Sequence, residues 1–541
     1  MLHIVTQVEP NTIGHQILDL VYRNSPASLP NPPQKTDKPT SSVSLPDSFR
    51  LKQQRISLTP DQRSSLELGM ANHPIAEIQA AFGTGKTILG AIIAGLLAQQ
   101  KRGPIIVTAT TNNAVAHFTN TMLALEEFQH IRLLRYISES AFLDETPPTP
   151  VDIHEILKSL SEDFAEKLQS QERDYCTRFR KGRLLYERYA RDPERTMNMT
   201  EKEIEEYILA EKDVSQCVKK VVRTMFKVRP PEVLLLTTAS LLNTTAKEGI
   251  FKNHITDRKI IIVDEASQVP EPMLACLITM FPDARQLYIG DINQMRPHVK
   301  CPSDANPALF GGQSIMSVLE RAPGVPKAAL VTTFRAHPAL NELPNLLSYG
   351  GSLLNGVTAR ERRLLLDRVK FPNPHVPFAL INVEGNSVEA PTRSHLNDEE
   401  AEICVSLMDH LLQHGLQPSQ LCVITFYRGQ FQLLAVFASE RNIEIATVDS
   451  IQGRETEVVI LLTTRTGLKP ETATFIDDPL RLNVAITRCR SGQFILGHVP
   501  TLRTLPNWGR LVKWADRLNA VIPSTRLNDL FSIYGTLQDL H

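Results

Sequence analysis

The chain has 541 residues, a formal net charge of -1 at pH 7, and 42% hydrophobic residues. This length and composition suit a globular protein of two to four domains, each large enough to bury its own core. Because the chain as a whole carries no net positive charge to attract a polyanion, any contact with nucleic acid must come from a local basic groove.

Secretion and a membrane span are not expected. The first 19 residues lack the basic region and the apolar stretch of a signal peptide. The longest apolar run, residues 88–98, is about half of the roughly 20 residues that a membrane-spanning helix needs. The seven cysteines are scattered without a Cys-x-x-Cys pair, so we expect reduced, mostly buried thiols. The sequence thus predicts a soluble intracellular protein, cytoplasmic or nuclear, without membrane association.

The chain begins with a predicted helix over residues 13–22 and a linker over 25–46, which is rich in Pro, Ser, Thr and Asn. Strands are then predicted at 75–79 and 104–107, each followed by a helical pattern. Strands that alternate with helices indicate a parallel sheet with right-handed crossovers. The helices predicted after these strands cover 87–99 and 112–125.

Residues 151–229 interrupt this alternation with dense, alternating charges and apolar residues at helical spacing. We interpret this segment as a helical insertion, a solvated pair of helices, with docking of a protein partner or regulation of strand binding as the alternative. The first sheet then resumes, with strands predicted at 233–237, 259–263 and 286–289. A second sheet is predicted from strands at 378–382, 421–425, 443–447, 457–463 and 493–496.

The fold class is therefore α/β, with two parallel-sheet domains in tandem and a helical insertion in the first. We place an N-terminal segment with its linker at residues 1–54 and the first domain at 55–325. The second domain covers 326–522, and a C-terminal tail without informative features covers 523–541.

A phosphate-binding loop is predicted at residues 80–87, which read Ala-Ala-Phe-Gly-Thr-Gly-Lys-Thr between a strand and a helix. Its two glycines let backbone N–H groups converge on phosphate oxygens, and the helix N-terminus adds its positive end. The lysine would reach the β- and γ-phosphates, and the hydroxyl of the last threonine would ligate Mg²⁺. A turn without a ligand is the alternative. We predict nucleotide binding by Gly83, Thr84, Gly85, Lys86 and Thr87.

An acidic pair, Asp264 and Glu265, follows the strand predicted at 259–263. Both carboxylates should lie at the C-terminal edge of a parallel sheet, where open α/β sheets bind ligands. Asp264 would hold Mg²⁺ directly or through water, and Glu265 would orient and activate the attacking water. A helix cap is the alternative for such a pair. Together with the phosphate loop, the pair predicts a nucleoside triphosphatase that uses Mg²⁺.

Several further short motifs occur along the chain in a fixed order. They are Leu-Thr-Pro-Asp-Gln at 58–62, Thr-Asn-Asn-Ala-Val at 111–115, Asp-Glu-Ala-Ser-Gln at 264–268, Gly-Asp-Ile-Asn-Gln at 290–294, and longer stretches at 330–338, 447–455 and 481–490. From about Leu58 to about Trp508 the chain thereby resembles superfamily 1 helicases, in the group of the nonsense-mediated-decay helicase, senataxin and the immunoglobulin mu-binding helicase. The resemblance implies two tandem RecA-like P-loop domains.

The resemblance also implies roles for individual residues. Gln62 would contact the adenine base, and Gln294 would sense the γ-phosphate. Thr111 and Asn112 would grip the nucleic-acid backbone. On the second domain, Arg335 would contact phosphate and Arg488 would act as an arginine finger across the interdomain cleft. The same wall of the cleft would include Gly453, Glu455 and Arg481.

The function implied is that of an ATP-dependent helicase or translocase, a monomeric motor that moves 5′ to 3′ along single-stranded RNA or DNA. The sequence does not decide between RNA and DNA. Three departures from the family pattern, Ala80, Ala116 and the pair Thr333-Phe334, keep open an ATP-gated nucleic-acid clamp or ribonucleoprotein scaffold that does not unwind. An inactive descendant is a third alternative.

Four aromatic or imidazole side chains near these segments fit two interpretations. Phe334, Tyr349 and Tyr427 suit core packing better than base stacking. We expect His337 to be structural as well.

Overall fold

The computed structural model describes residues 8–23, 45–101, 104–143, 147–190, 199–255, 259–299, 301 and 305–532. The chain divides into two compact units. The first unit contains residues 1–79, 86–290 and 297–330, and the second contains 80–85, 291–296 and 331–541. The predicted linker at 25–46 falls almost wholly outside the described residues, and the predicted domain limits stay predictions.

A seven-stranded sheet forms the centre of the first unit, in the order β5-β6-β4-β7-β8-β3-β9. The five pairings from β5 across to β3 are all parallel. The central strands consist almost entirely of buried Ile, Leu and Val, as expected for a parallel sheet covered on both faces. Its strands are β3 (Ile75–Ala80), β4 (Ile105–Ala109), β5 (Leu133–Arg135), β6 (Val233–Thr237), β7 (Ile260–Val263), β8 (Arg285–Gly290) and β9 (Lys327–Leu330).

The helices of the first unit connect these strands, and a short antiparallel hairpin precedes the sheet. The hairpin pairs β1 (Ser48–Leu51) with β2 (Gln54–Ser57). The helix that begins at Lys86 is buried along nearly its whole length. The helices are α1 (Ile13–Tyr22), α2 (Pro60–Met70), α3 (Lys86–Gln99), α4 (Asn112–Ala124), α5 (Glu139–Leu143), α6 (Ile153–Asp163), α7 (Ser170–Ala190), α8 (Glu201–Val228), α9 (Thr238–Thr245), α10 (Pro272–Met280), α11 (Asn306–Gly311) and α12 (Ile315–Glu320).

The insertion at 151–229 is helical, as predicted, and its two long helices are mostly exposed or half-exposed, but a third helix accompanies the predicted pair. It contains three helices, α6, α7 and α8. The side chain of Arg183 on α7 is fully buried and donates to Glu139 at 2.6 Å and to Glu187 at 2.8 Å. The dense charges predict that these side chains are exposed. Arg183 is an exception, because a guanidinium paired with two carboxylates can lie inside such a helical layer.

A six-stranded parallel sheet forms the centre of the second unit, in the order β16-β15-β17-β18-β12-β19. Two short pairs, β10 with β11 and β13 with β14, lie outside it. The strands of this unit are β10 (Thr332–Thr333), β11 (Leu354–Asn355), β12 (Phe378–Asn382), β13 (Val388–Glu389), β14 (His395–Leu396), β15 (Leu421–Thr425), β16 (Glu444–Thr447), β17 (Thr456–Leu462), β18 (Cys489–Gly497) and β19 (Val521–Pro523).

Helices cover this second sheet, and both tryptophans of the chain, Trp508 and Trp514, are buried in its core. The last described segment, a 3-10 helix at Ser524–Phe531, buries Leu530 and Phe531 and thus belongs to the folded unit. The helices are α13 (Pro338–Ser348), α14 (Asp398–Gln413), α15 (Arg428–Glu440), α16 (Pro479–Ile486), α17 (Val499–Thr504) and α18 (Pro506–Arg517).

The two parallel sheets with covering helices confirm the predicted α/β class with tandem RecA-like domains. The predicted strands agree with the observed ones to within a few residues, and α1 is observed at the predicted bounds. Among the seven cysteines, five are buried and two are partly buried, and none forms a disulfide. Within the described ranges, none of the helices has both the length and the apolar character needed to cross a membrane.

Candidate functional site

Three of the predicted site segments follow the carboxyl ends of strands in the seven-stranded sheet, within the adjacent set β4-β7-β8-β3. The phosphate loop follows β3, Thr111 comes shortly after β4, and Asp264 comes directly after β7. Because these strands are parallel, their carboxyl ends meet at one edge of the sheet. The topology therefore gathers residues from distant parts of the sequence at the edge where α/β folds bind ligands.

The phosphate loop has the backbone that its glycines predict. Gly83 and Gly85 have φ angles of 67° and 80°, in the region that other residues rarely adopt. The hydroxyl of Thr84 donates to the carbonyl of Ala81 at 2.8 Å and closes the turn. Helix α3 begins at Lys86, directly after the loop. Such a loop at a helix N-terminus presents backbone N–H groups to an anion.

Four polar side chains meet behind this loop. The Nζ of Lys86 lies 2.8 Å from Oε1 of Glu265. The hydroxyl of Thr87 lies 3.5 Å from Oδ2 of Asp264, whose other oxygen accepts from the backbone N–H of Glu265 at 2.9 Å. Glu265 has a φ of 50°, a left-handed conformation that is uncommon outside glycine and asparagine. The structure thus brings all four predicted residues together.

The electrostatics of this cluster are set by burial. Burial and the neighbouring Glu265 carboxylate raise the pKa of Asp264, while Lys86 acts in the opposite direction. The Thr87 hydroxyl and the Asp264 carboxylate offer two oxygen ligands to a Mg²⁺ ion, which draws its remaining ligands from water and phosphate. The residues therefore fit Mg²⁺ bound together with a nucleotide.

Gln62, Thr111 and Gln294 each form hydrogen bonds with residues close to them in the sequence. Gln62 is buried, and its side-chain oxygen accepts from the backbone N–H of Thr59 at 3.1 Å in a capping box at the start of α2. Thr111 is the exposed N-cap of α4, with Asn112 as the first helical residue. Gln294 donates to Asp291 at 2.8 Å in the turn after β8. The positive end of α4 therefore faces outward at the position predicted to contact a nucleic-acid backbone.

In the second unit, Arg335 and Glu455 form an ion pair. The Nε of Arg335 donates to Oε2 of Glu455 at 2.6 Å, and its Nη1 donates to the carbonyl of Thr487 at 3.0 Å. Although burial alone would raise the pKa of Glu455, the guanidinium groups of Arg335, Arg490 and Arg488 lower it. Several cations thus converge on one carboxylate within this unit.

The remaining predicted residues of the second unit differ in exposure. Arg488 is fully buried and donates to the carbonyl of Val484 and to the hydroxyl of Thr487, each at 2.9 Å. Arg481 is partly exposed and donates to Asp449 at 3.0 Å. Gly453 has a φ of 82°, and the space where a side chain would begin is open. Position 453 therefore favours glycine because of its backbone conformation, although the surrounding space would admit a side chain.

The aromatic side chains lie where core packing places them. Tyr427 belongs to the hydrophobic core of the second unit, and Tyr349 is buried. Phe334 is partly buried, and its ring lies over Gly356. His337 is buried and caps α13, since its Nδ1 accepts from the backbone N–H of Ala339 at 3.2 Å. These positions agree with the structural interpretation of the four residues.

One residue beside the site was not predicted from the sequence. Arg362 donates to the backbone carbonyl of Arg335 at 2.8 Å. The sequence around it reads Ala-Arg-Glu-Arg-Arg at 359–363, and nothing in that run distinguishes one arginine from the others. No sequence signal could have identified it, because its partners are main-chain atoms.

Comparison with known proteins adds independent information. AAA-domain family models match residues 57–302 and 312–500. The chain is similar to a regulator of nonsense transcripts 1 homolog from Arabidopsis thaliana, with 28% identity over 450 residues, which covers 81% of this chain and 32% of the relative. It is also similar to the ATP-dependent helicase NAM7 of Saccharomyces cerevisiae, with 26% identity over 511 residues, covering 92% of this chain and 46% of the relative.

Among solved structures, the arterivirus nonstructural protein 10 helicase in complex with DNA covers 84% of this chain at 12% identity. This chain covers 73% of that structure, with a TM-score of 0.35, a likeness too small to support an argument. The chain spans about a third to just under half of the length of the two curated relatives. The two consecutive AAA-domain matches and the relatives nevertheless agree with the ordered motifs, and the chain belongs to the superfamily 1 helicases, in the group of the regulator of nonsense transcripts 1.

Proposed function

We propose that this chain is an ATP-dependent helicase or translocase that moves along single-stranded RNA or DNA. The observation that carries the proposal is the meeting of Lys86, Thr87, Asp264 and Glu265 behind the phosphate loop. Family membership supports it, since a relative such as NAM7 is named an ATP-dependent helicase. The hydrolytic set of residues is complete, which argues against an inactive descendant.

In the proposed reaction, the backbone N–H groups of the loop and Lys86 bind the phosphates of ATP. Lys86 would leave its pair with Glu265 for the β- and γ-phosphates, which frees the carboxylate to orient and activate water. Thr87 and Asp264 would hold Mg²⁺, which neutralises phosphate charge when bound. The carboxylate is already positioned by the left-handed backbone of its own residue.

We further propose that the second unit supplies positive charge to the same nucleotide. Arg335 and Arg488 would stabilise charge on the γ-phosphate, with Gly453, Glu455 and Arg481 in the same cleft. An arginine finger is worth about 10³ to 10⁵ in rate in well-studied phosphoryl-transfer enzymes. Hydrolysis would then depend on the two domains closing around ATP and would drive stepwise movement along a strand.

The nucleic acid would be bound through its backbone. Thr111 and Asn112 stand at the N-terminus of α4, where backbone N–H groups and the helix dipole attract phosphate. We propose a monomeric, intracellular motor with 5′ to 3′ polarity. Phosphate contacts do not distinguish RNA from DNA, so the preference between them has to be measured.

The test compares ATP turnover by the purified chain alone, with single-stranded RNA and with single-stranded DNA of the same length. We expect nucleic acid to stimulate turnover, and we expect Lys86→Ala to abolish it. The matched control is Lys219→Ala, because Lys219 is exposed on the insertion and pairs with exposed Glu248. Absence of turnover with every strand, in folded protein, would exclude the proposal. Duplexes with 5′ or 3′ overhangs then report unwinding and its polarity.

The alternative, an ATP-gated clamp or ribonucleoprotein scaffold, is favoured by one specific observation. Ala116, which stands where the family often has an acidic residue, is buried on α4. Its side chain therefore offers no surface contact to a strand, and grip on the nucleic acid would be weaker. ATP-dependent binding of a strand without separation of duplexes would identify the clamp.

We also propose that the insertion binds a protein segment. Ile204, Ile208 and Leu209 on α8 are 43%, 57% and 59% exposed, an unusual cluster of large aliphatic side chains. Four exposed glutamates and two exposed lysines lie next to them, so the local charge is negative and a basic amphipathic helix is the partner that fits. We expect fluorescence anisotropy to detect binding of a synthetic basic amphipathic peptide. Ile208→Asp should abolish this binding, whereas Lys219→Ala should leave it unchanged; equal binding by both variants would exclude this surface. The acidic residues beside the cluster are Glu201, Glu205, Glu206 and Glu211.

A further inference from the structure

The main chain that carries Arg335 is held at consecutive carbonyl groups. The carbonyl of Thr333 accepts from the backbone N–H of Gly356 at 2.8 Å. The carbonyls of Phe334 and Arg335 both accept from the side chain of Arg362, each at 2.8 Å. Such dense pairing at the end of β10 fixes the direction in which the side chains of Phe334 and Arg335 leave the backbone.

The side chain of Arg362 spans two of these carbonyls. Its Nη2 reaches Phe334 and its Nε reaches Arg335, so both bonds come from one planar group with fixed geometry. A lysine at this position could offer only a point charge to one carbonyl at a time. The contact is therefore specific for a guanidinium.

The segment that carries Arg362 is itself anchored. Arg362 ends the 3-10 helix Ala359–Arg362, which begins with a capping box. In that box the backbone N–H and the hydroxyl of Thr358 both donate to Oε2 of Glu361 at 2.7 Å. These hydrogen bonds lower the pKa of Glu361, so the cap holds its charged form at neutral pH. The guanidinium thus projects from a defined turn.

Arg335 is consequently fixed at both ends. Its backbone carbonyl is held by Arg362, and its guanidinium is held by Glu455 and the carbonyl of Thr487, with its side chain only 10% exposed. A shift of the backbone at Arg335 would be transmitted to the guanidinium. A misplacement of about 1 Å can cost about 100-fold in rate at a catalytic centre.

We infer that Arg362 is a positioning residue for ATP hydrolysis, which keeps the guanidinium of Arg335 where it meets the γ-phosphate. The inference rests on the proposed function, because it assigns Arg335 to the nucleotide. Arg362 itself contacts main-chain atoms and is not assigned to the substrate. Its loss should lower kcat while ATP binding by the phosphate loop is preserved.

The chain provides a matched control next to this residue. Arg363 is 56% exposed, and its guanidinium pairs with Asp367, four residues further on, at 3.0 Å. Removing it changes net charge by the same amount as removing Arg362. We expect Arg363→Ala to keep kcat within about twofold of the wild type, as is usual for a surface substitution.

The experiment measures kcat and KM for ATP in the full chain with single-stranded nucleic acid present. We expect Arg362→Ala to lower kcat about 10- to 100-fold, with KM changed by less than about threefold. Arg362→Lys should recover only a small part of the loss. Thermal unfolding of each variant identifies a protein that has failed to fold. If Arg362→Ala fails to fold, the kcat of Arg362→Lys is compared with that of the wild type instead.

A double-mutant cycle separates positioning from a general structural role. If Arg362 acts through Arg335, adding Arg362→Ala to Arg335→Ala should lower kcat by no more than about twofold further. Full additivity of the two losses would overturn the inference, as would an Arg362→Ala variant with wild-type kcat. No turnover by the wild type would instead overturn the proposed function, so the two failures are distinguishable.

Discussion

The Nζ of Lys86 lies 2.8 Å from Oε1 of Glu265, and both side chains are largely buried. The lysine predicted to bind phosphates and the carboxylate predicted to activate water therefore neutralise each other in the structure. An ion pair in such surroundings is costly to separate unless another partner replaces it. The phosphates of ATP are such a partner for Lys86, so nucleotide binding and activation of Glu265 are coupled in the proposed mechanism.

The first prediction is that Glu265→Gln separates ATP binding from hydrolysis. The amide keeps the shape of the side chain but cannot serve as a base, so kcat should fall about 10²- to 10⁴-fold. ATP affinity should stay equal or rise, because Lys86 no longer has a carboxylate to leave. Turnover assays and titration with a fluorescent ATP analogue measure the two effects. Glu248→Gln is the control, since Glu248 is 85% exposed; a variant of Glu265 that keeps most of its turnover would contradict the role.

The second prediction concerns the loop entrance at Ala80. Ala80 is the fully buried last residue of β3, and its backbone does not have the positive φ that would require glycine. Ala80→Gly should therefore keep the ATPase activity and lower the free energy of unfolding by about 0.5–1 kcal/mol. By contrast, Gly83→Ala should lose most activity, because Gly83 has a φ of 67°. Kinetics and urea unfolding test the pair; a large loss of turnover in Ala80→Gly would show that the loop has been misinterpreted.

The third prediction distinguishes the role of Arg488 from that of Arg481. Arg488→Ala should lower kcat about 10³- to 10⁵-fold if Arg488 is the arginine finger. It should also lower the Tm, because Arg488 is 1% exposed and donates to Val484 and Thr487. Arg481→Ala should leave the Tm nearly unchanged, since its bond to Asp449 lies at the surface. Steady-state kinetics and thermal unfolding measure both effects. A Tm loss in Arg488→Ala without any loss of kcat would leave it a purely structural arginine.

Much of the fold was accessible from the sequence because most strands are continuous apolar runs flanked by helical patterns. The strands that were not predicted lack that signal. β5 has only three residues, and β9 is an edge strand whose first three side chains are exposed or half-exposed. β19 likewise has three residues and lies at the edge of the second sheet. Short edge strands depend on their neighbours for stability and carry little periodicity of their own.

The candidate site was predictable where its residues stand in contiguous motifs. Lys86 and Glu265 are far apart in sequence, but each belongs to a local pattern with a known chemical purpose. Arg362 and the buried Arg183 belong to no such pattern. Their roles depend on which atoms the fold brings within reach, and spacing along the chain does not contain that information.

The fourth prediction is a pH dependence of stability that originates at Glu77, in the middle of β3. Its side chain is fully buried, and neither carboxylate oxygen has a hydrogen-bond partner among the described residues. Burial raises the pKa of Glu77 to about 8, the Glu320 carboxylate adds to the rise, and Lys327 acts against it. Gln79 of the same strand and Gln286 and Tyr288 of the neighbouring strand lie on its side of the sheet. Glu77 is therefore protonated in the folded protein at neutral pH.

The sign of the effect follows from proton linkage. Between the ordinary pKa of 4.5 and the folded value of about 8, the folded protein holds a proton that the unfolded chain has released. The free energy of unfolding should thus fall as pH rises through this window, by up to about 1.4 kcal/mol per pH unit, and level off above it. Glu77→Gln cannot ionise and should remove this slope, so that the variant is the more stable protein at pH 8. Urea unfolding at several pH values, with exposed Glu67→Gln as control, measures the difference; parallel curves for wild type and Glu77→Gln would show that Glu77 finds a charge partner on folding.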